Sequence, residues 1–221
     1  MKRKRTPAGT AARLALLLAC TLVMPTCVAG EQRYEPLSAS VRAVLHRSVA
    51  DRASPRLTFE SQAEGAAWLA DMSSRLEKHI PDDIARHDFL VTVQYEATRA
   101  GLDPQLVLGV IHVESKFRKY AVSKAGARGY MQVMPFWLKL IGDGKQNLFN
   151  LRTNLRYGCT ILRHYLDIER GDTFRALARY NGSLGKSRYP DNVLRVLSRN
   201  WDYERGRSRI IIAPTRYLGD S

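Results

Sequence analysis

The sequence is poor in cysteine and in long apolar runs. Its 221 residues include three cysteines, too few for a scaffold held by several disulfides. Beyond the first 30 residues no apolar stretch approaches the roughly 20 residues that a membrane helix needs, so we predict no later membrane span. Acidic residues are also scarce, 21 against 35 basic ones, a net charge of +14. A hydrophobic content of 45% nevertheless predicts a globular chain, not a collagen-like or disordered acidic one.

Metal-ligand and nucleic-acid motifs are missing too. The five histidines show no ligand spacing such as HExxH, so we expect no metal and no organic cofactor. They are His46, His79, His87, His112 and His164. The basic residues are dispersed, with the densest group in the C-terminal tail, and no recognition motif accompanies them. We therefore expect no nucleic-acid partner, although the positive charge suits some other anionic partner.

The N-terminus has the layout of a secretory signal peptide. Four basic residues at 2–5 precede an apolar stretch at 14–29, and small residues follow near position 30. This pattern predicts that residues 1–30 are a cleaved signal peptide and that the protein is exported to the periplasm. An uncleaved membrane anchor is the alternative, which Pro25 and the shortness of the apolar stretch disfavour.

The cysteines allow two further predictions. Lipid anchoring would use Cys20 or Cys27, but the residues before each fit a lipobox poorly, so we do not expect it. Cleavage at residue 30 removes five basic residues and no acidic one, which leaves a net charge of +9 and one cysteine, Cys159. Cys159 falls on an apolar helical stripe, a position typical of a buried, inert thiol.

The rest of the chain reads as a series of helices. Apolar residues at helical spacing and capping residues predict helices at about 61–80, 83–100, 104–115, 135–141, 151–170, 172–178 and 191–201. The predicted N-caps are Ser61, Asp103, Asn150, Asp172 and Asp191. Strand signals are almost absent, so the predicted fold class is mainly α with at most one small β-sheet lining a cleft. Residues 31–57 give no prediction.

One acidic residue lies on an apolar helix face. Glu114 follows Val107, Val110 and Ile111 at helical spacing, so its side chain is expected to point inward. Burial favours the neutral form of a carboxyl group and raises its pKa. A protonated carboxyl at neutral pH is what a general acid for glycosidic cleavage requires. The alternative is an ordinary helix-end glutamate, at the surface or in an ion pair.

The stretch before Pro135 is the second candidate part of a site. If residues 130–134 are extended, Gln132 and Met134 lie on one side and Met131 and Val133 on the other. One side then faces the core and the other faces a cleft. A glutamine amide and a flexible methionine suit contacts with sugar hydroxyls and with apolar sugar faces.

Three motifs in order resemble those of the soluble lytic transglycosylase (SLT) domain family. They are Glu114-Ser115, the stretch Gly126-Ala127-Arg128-Gly129-Tyr130-Met131-Gln132-Val133-Met134-Pro135, and Ala176-Leu177-Ala178-Arg179-Tyr180-Asn181-Gly182. The resemblance covers roughly residues 85–200 and implies a goose-type lysozyme-like fold. Departures are Tyr130 where leucine is usual and RYNGSLG in place of AYNAGPG.

The resemblance implies a role for each matching residue. Glu114 matches the single catalytic acid/base. The matching substrate-binding positions are Ser123, Gln132, Met134, Tyr180, Asn181 and Tyr189. The implied partner is the peptidoglycan glycan strand, and the implied reaction is cleavage of the MurNAc-β-1,4-GlcNAc bond to give a 1,6-anhydroMurNAc end. The implied enzyme is a lytic murein transglycosylase.

Two other functions are compatible with these residues. A hydrolytic muramidase of the usual inverting kind has a second carboxylate about 6.5–9.5 Å from the acid, for which Asp143, Asp172 and Asp191 are candidates. A non-catalytic glycan-binding or envelope assembly protein could have the same fold.

Four segments follow from these patterns. They are a signal peptide at 1–30, an N-terminal helical wrap at 31–84, the catalytic domain at 85–202 and a basic tail at 203–221. The wrap either packs on the catalytic domain or contacts another envelope protein. Whether a glycan strand is cut internally or at its end depends on which end of the cleft is closed. The motifs do not predict this, because it depends on the fold.

Overall fold

The computed structural model describes residues 32–50 and 52–203. The predicted signal peptide, both candidate lipidation cysteines and the tail from residue 204 onward lie outside the described residues. Tyr203, the first residue of the predicted tail, is buried. No helix in the described part of the chain is long and apolar enough to cross a bilayer.

The described chain is almost entirely helical. Its α-helices are α1 (Ala39–Ala50), α2 (Gln62–Leu76), α3 (Asp83–Arg99), α4 (Pro104–Ser115), α5 (Phe136–Ile141), α6 (Leu151–Ile168), α7 (Thr173–Tyr180) and α8 (Arg188–Val196). A π-helical turn, Leu197–Trp201, continues α8. Over residues 32–50 and 52–203 there is no β-strand, only two isolated bridges that both involve Arg128. The mainly α prediction is confirmed.

Side-chain caps begin most of the helices where the sequence predicts. Ser61 accepts a hydrogen bond from the Glu64 amide, and Asp103, Asn150 and Asp172 cap α4, α6 and α7 in the same way. Each such bond satisfies a backbone donor that has no partner inside the helix.

Two helix predictions need correction. The predicted N-cap at Asp191 is wrong, because α8 begins three residues earlier, at Arg188, and Asp191 lies in its first turn. Pro190 does not prevent this early start, because amides in the first turn of a helix need no intrahelical partner. The structure also contains α1, which lies within residues 31–57, a stretch whose sequence pattern predicts no element.

Helix α6 is the centre of the fold. It packs against α1, α3 and α7, and most of its residues are buried. Cys159 is free and fully buried on this helix, as predicted, and burial raises the pKa of its thiol well above the usual value. Helix α4 packs against α3, α8 and the π-helical turn.

A buried ion cluster joins α3 to α6. Glu96 of α3 is fully buried, and its Oε1 lies 2.7 Å from Nη2 of Arg156 on α6. Nε of Arg99 lies 3.1 Å from the other carboxylate oxygen. Burial of a carboxylate requires such pairing, so truncation of one partner would be strongly destabilising.

Candidate active site

Glu114 lies near the C-terminal end of α4 and is buried, with 7% of its surface exposed. Its inward orientation agrees with the helical spacing, and the alternative of a surface glutamate is wrong. The hydroxyl of Tyr189, on α8, donates a 2.7 Å hydrogen bond to Oε1 of Glu114. Two residues that are far apart in sequence are thus joined at the carboxyl group. Their contact follows from the packing of α4 against α8.

The backbone directly after Glu114 is unusual. Lys116 and Phe117 both have positive φ angles, 52° and 62°, which residues other than glycine seldom adopt. The amide of Lys116 still bonds to the carbonyl of His112 and so ends the helix. Such conformations persist only where the surrounding structure holds them and occur often at functional sites. Here the ring of Phe117, which is 4% exposed, packs in the core directly after the end of α4.

Residues 128–133 form a tight turn, so the prediction of an extended stretch at 130–134 is wrong. The amide and carbonyl of Arg128 pair with those of Val133 at 3.0 Å in each direction. Gln132 has a φ of 50°, which reverses the chain before Val133. The bias toward an extended backbone that Pro135 imposes acts on Met134 alone and leaves the preceding residues free to turn.

The turn changes the expected role of Gln132. Its side chain is 3% exposed, and Nε2 donates to the carbonyls of Ala121 at 3.1 Å and Gly129 at 2.9 Å. The amide nitrogen therefore holds the loop together. Met134 is partly buried, and its backbone amide donates to Oε1 of Gln32 at 3.1 Å.

Tyr180 links this loop to the surroundings of Glu114. The side chain is fully buried, and its hydroxyl donates a 2.7 Å hydrogen bond to the carbonyl of Met131. Burial raises the pKa of Tyr180 well above its usual value, and the negative charge of Glu114 raises it further. The neighbouring Asn181 is 7% exposed, and its Nδ2 has no hydrogen-bond partner among the described residues. Asn181 thus offers a buried donor beside Tyr180.

Ser123 begins the loop that contains the turn. Its side-chain oxygen accepts a hydrogen bond from the Ala127 amide at 3.1 Å, and the residue is partly exposed. The hydroxyl can still donate to another group, because one oxygen can accept and donate at once.

Asn154 is a positioning residue that the sequence reasoning missed. It is fully buried on α6, and its Oδ1 accepts from the Met131 amide at 2.8 Å. Its Nδ2 donates to the carbonyls of Arg128 and Leu148. The available signal was an asparagine at helical spacing from Leu151, Ile161 and Tyr165, because an amide on an apolar face is expected to be buried and then needs several partners.

The candidate second carboxylates are all exposed. Asp172 caps α7, and Asp143 accepts a hydrogen bond from the Lys145 amide in a separate turn. Asp143 also lines a cavity of about 480 Å³ beside α1 and α6 that does not include Glu114. In the described ranges, no group of three or more histidine, cysteine or acidic side chains is placed to hold a metal ion.

Comparison with known proteins gives consistent matches. Residues 92–193 match the model of the family described as the transglycosylase SLT domain. The chain is 31% identical over 156 residues to membrane-bound lytic murein transglycosylase C of Histophilus somni (strain 2336), which covers 56% of this chain and 43% of that protein. It is 32% identical over 114 residues to the transglycosylase of Enterobacteria phage PRD1, covering 48% of this chain and 42% of that one.

A third relative extends the same pattern. Membrane-bound lytic murein transglycosylase C of Haemophilus influenzae (strain PittEE) is 31% identical over 138 residues, 54% of this chain and 36% of that protein. The chain therefore spans less than half the length of each of these relatives. The family model includes Glu114, Tyr180, Asn181 and Tyr189 within its matched range.

Proposed function

We propose that this chain, whose residues 92–193 match the model of the transglycosylase SLT domain, is a lytic murein transglycosylase. It cleaves the MurNAc-β-1,4-GlcNAc bond of peptidoglycan without water and leaves a 1,6-anhydroMurNAc end. The observation that carries the proposal is the buried carboxyl group of Glu114, which accepts a hydrogen bond from the hydroxyl of Tyr189.

One carboxyl group is enough for this reaction. The protonated Glu114 gives its proton to the glycosidic oxygen as the bond from that oxygen to the anomeric carbon of MurNAc breaks. The resulting carboxylate takes the proton from the 6-hydroxyl of the same sugar while that oxygen bonds to the anomeric carbon. Because the nucleophile belongs to the substrate, no second carboxylate is needed to activate water. The acetamido group of the sugar can assist, as in other substrate-assisted cleavages.

The remaining residues fall into two groups in this proposal. Ser123, Met134 and Asn181 contact the glycan, since each has an exposed surface or a free donor. Gln132 and Tyr180 act as positioning residues, because their polar atoms hold the loop at 121–131.

The location and partners of the protein are part of the same proposal. A protein that acts on peptidoglycan is exported, in agreement with the signal peptide predicted at 1–30, and works in the periplasm. Residues 31–84, which include α1 and α2, wrap the catalytic domain and could in addition contact other envelope proteins.

The direct test uses Glu114→Gln. The variant keeps the shape of the side chain and a group that accepts the Tyr189 hydroxyl, but it cannot transfer a proton. We expect release of anhydro-muropeptides from purified sacculi to fall by at least about 100-fold. Thermal unfolding should stay close to that of the parent protein. Glu77→Gln, an exposed glutamate that follows α2, is the matched control and should keep full activity. Full activity of Glu114→Gln would contradict the proposal.

A further inference from the structure

A cavity of about 480 Å³ lies between α1, the loop that precedes α6 and the first two turns of α6. Glu114 does not line it, so the cavity is separate from the candidate active site. Its volume falls within the roughly 300–1,000 Å³ of pockets that hold small ligands. Three arginines line it, Arg52, Arg152 and Arg156, and it is called the arginine cavity below. The proposed reaction uses none of these residues.

The arginines bring more positive charge than their buried carboxylate partner balances. Glu96 of α3 is shared by Arg99, Arg152 and Arg156. Its Oε1 lies 2.7 Å from Nη2 of Arg156 and 3.6 Å from Nε of Arg152, and its Oε2 lies 3.1 Å from Nε of Arg99. Arg52, which is exposed, adds another positive charge to the wall. Because charges that are removed from water need opposite charges nearby, this arrangement favours a bound anion.

Some guanidinium donors in this cavity have no partner among the described residues. Arg156, whose side chain is 8% exposed, donates from Nε and Nη2 to Glu96, and its Nη1 makes no hydrogen bond with the described chain. Nε of Arg152 is buried and likewise has no hydrogen-bond acceptor there, while Nη2 donates to the carbonyl of Ala53. Guanidinium groups with available N–H donors suit a carboxylate, which they bind through paired hydrogen bonds.

The rest of the wall suits a peptide better than a simple inorganic anion. Asp143 lines the cavity, and its Oδ1 accepts a 2.8 Å hydrogen bond from the Lys145 amide. Its negative charge repels a bare anion but attracts an ammonium group. Gln146 and Thr153 add an amide and a hydroxyl that can bond to peptide groups, and Val49 adds an apolar contact. The wall therefore combines several positive charges, one negative charge and neutral polar groups.

We propose that the arginine cavity binds the stem peptide of peptidoglycan, with peptide carboxylates on the arginines and the ammonium group of the diamino acid on Asp143. The stem peptide carries several carboxylates and one free amino group, so its charges complement those of the wall. The choice of this peptide rests on the proposed function, because a protein that cuts glycan strands meets the peptides attached to them. The site holds the enzyme on peptide-bearing glycan and takes no part in bond cleavage.

The first test measures binding of the free stem peptide to the parent protein. The probe is the tetrapeptide stem without sugar, which has no glycosidic bond to cleave, and the method is isothermal titration calorimetry. We expect saturable binding that weakens as the salt concentration is raised. The same peptide with amidated carboxylates should bind at least about tenfold more weakly, because the charge-assisted hydrogen bonds are lost. No binding of the parent peptide, or equal affinity for the amidated one, would overturn the proposal.

Two arginine variants test the location of the site. Arg52→Gln should weaken binding of the stem peptide roughly threefold, as for an exposed charge, and Arg152→Gln at least about tenfold. The control is Arg47→Gln, which removes the same charge from an exposed position on α1 outside the cavity and should leave affinity unchanged. Thermal melting shows whether Arg152→Gln is folded, and Arg52→Gln alone decides if it is not. Parent-like affinity in the folded cavity variants would place the peptide elsewhere and contradict the proposal.

Asp143→Asn separates a stem peptide from other anionic ligands. The asparagine keeps an oxygen that accepts from the Lys145 amide but has no negative charge. Affinity for the stem peptide should fall roughly threefold, because the pairing with the ammonium group is lost. Tighter binding by this variant would indicate a general anion site instead. Tetra-alanine, a linear peptide without a diamino acid, should bind the parent protein more weakly than the stem peptide, and equal affinity would indicate a site for any peptide C-terminus. Either result would refute the assignment.

Kinetics keep this proposal distinguishable from the proposed function. Rates are measured for the parent protein and Arg52→Gln on peptide-bearing and on peptide-free glycan strands. Arg52→Gln should raise KM for the peptide-bearing strands roughly threefold and leave kcat, and both constants on peptide-free strands, unchanged. An equal change on the two substrates would overturn the peptide site. A parent protein that binds the stem peptide but makes no anhydro ends would instead contradict the proposed function alone.

Discussion

At the scale of single residues, the orientation of Glu114 depends on Tyr189. The tyrosine hydroxyl donates to Oε1 of the carboxyl group across 75 positions of sequence. Tyr189 is itself buried, so the hydrogen bond is shielded from competing water. In the proposed reaction Glu114 is the proton donor, which must be held in the correct geometry to act, and this bond supplies part of that geometry.

Removal of this hydroxyl should slow catalysis and leave substrate binding nearly unchanged. For Tyr189→Phe we expect kcat to fall by roughly 10- to 100-fold with little change in KM, because one positioning hydrogen bond is lost. The matched control is Tyr157→Phe, which removes a tyrosine hydrogen bond to Gln146. Steady-state rates on soluble glycan oligomers provide the measurement. Equal losses in the two variants would show that the Tyr189 bond has no special role.

The orientation of some site residues could be predicted from the sequence, and that of others could not. The inward position of Glu114 follows from helical spacing alone, because α4 is regular. The orientation of Gln132 depends on its positive φ angle, which no local pattern signals. Nε2 of Gln132 therefore donates to the carbonyls of Ala121 and Gly129, a role within the loop that the motif did not predict, while its expected contact with the glycan stays a prediction.

At the scale of elements, the loop at 121–134 is positioned by α6. A β-carbon at Gly158 would lie 2.8 Å from Cβ of Met131, so the absence of a side chain lets the turn approach the helix. Met131 in turn accepts the hydrogen bond from Tyr180 and donates to Asn154. Close packing at Gly158 therefore sets the position of several site residues.

Gly158→Ala should thus be costly although alanine favours helices. We expect a loss of about 1–3 kcal/mol of stability, because the added methyl group must displace Met131. Activity should fall as well. Gly109→Ala on α4 is the matched control, since its β-carbon would meet Leu197 at an ordinary 3.4 Å. It should leave stability unchanged or raise it by up to about 1 kcal/mol through helix propensity. Urea denaturation of both variants provides the comparison.

Helix ends were predictable where a side chain caps them and less so elsewhere. Ser61, Asp103 and Asn150 cap the helices that the sequence assigns to them. Ser187 makes no side-chain hydrogen bond to the first turn of α8, so no capping residue in the sequence marks where this helix begins. Asp191, which resembles an N-cap in the sequence, lies inside the first turn instead. Helix α1 packs against α5 and α6, but few of its residues are buried. Its sequence therefore shows only a weak pattern of apolar residues at helical spacing.

At the scale of the whole molecule, a partly buried histidine, His112, and a buried one, His164, link stability to pH. His112 accepts a hydrogen bond from Nε1 of Trp201 through Nδ1, which requires an unprotonated ring. Burial lowers the pKa of His112, and the nearby charges of His79 and Lys116 lower it further. Burial also lowers the pKa of His164, although the charges of Asp167 and Glu35 partly oppose this.

The protein should therefore lose stability in mild acid. Below a pH of about 6.5 the unfolded chain binds protons at these histidines more readily than the folded chain does, so acid favours unfolding. We expect Tm to fall as pH decreases from about 7.5 to about 5. His112→Gln, which can still accept from Trp201, should flatten this dependence. His87→Gln, on the exposed side of α3, should not change it. A rise in Tm over that range would contradict the account.

The long-range contacts of the site were beyond sequence reasoning. The ion pair of Glu35 with Arg179 joins residues 144 positions apart, and no periodicity or motif signals such a contact. Motif order predicted a resemblance to the SLT domain family, and residues 92–193 do match that family's model, because each motif is local. The contacts between residues 32–37 and the site instead arise from tertiary packing.

The most direct test of the central claim follows the oxygen atom of water. Purified sacculi are digested in water enriched in the heavy oxygen isotope, and the released muropeptides are weighed by mass spectrometry. Because the 6-hydroxyl of MurNAc is the proposed nucleophile, the products should be one water lighter than reducing-end muropeptides and should carry no heavy oxygen. Products that retain a reducing end and incorporate one heavy oxygen atom would identify a hydrolase and contradict the account.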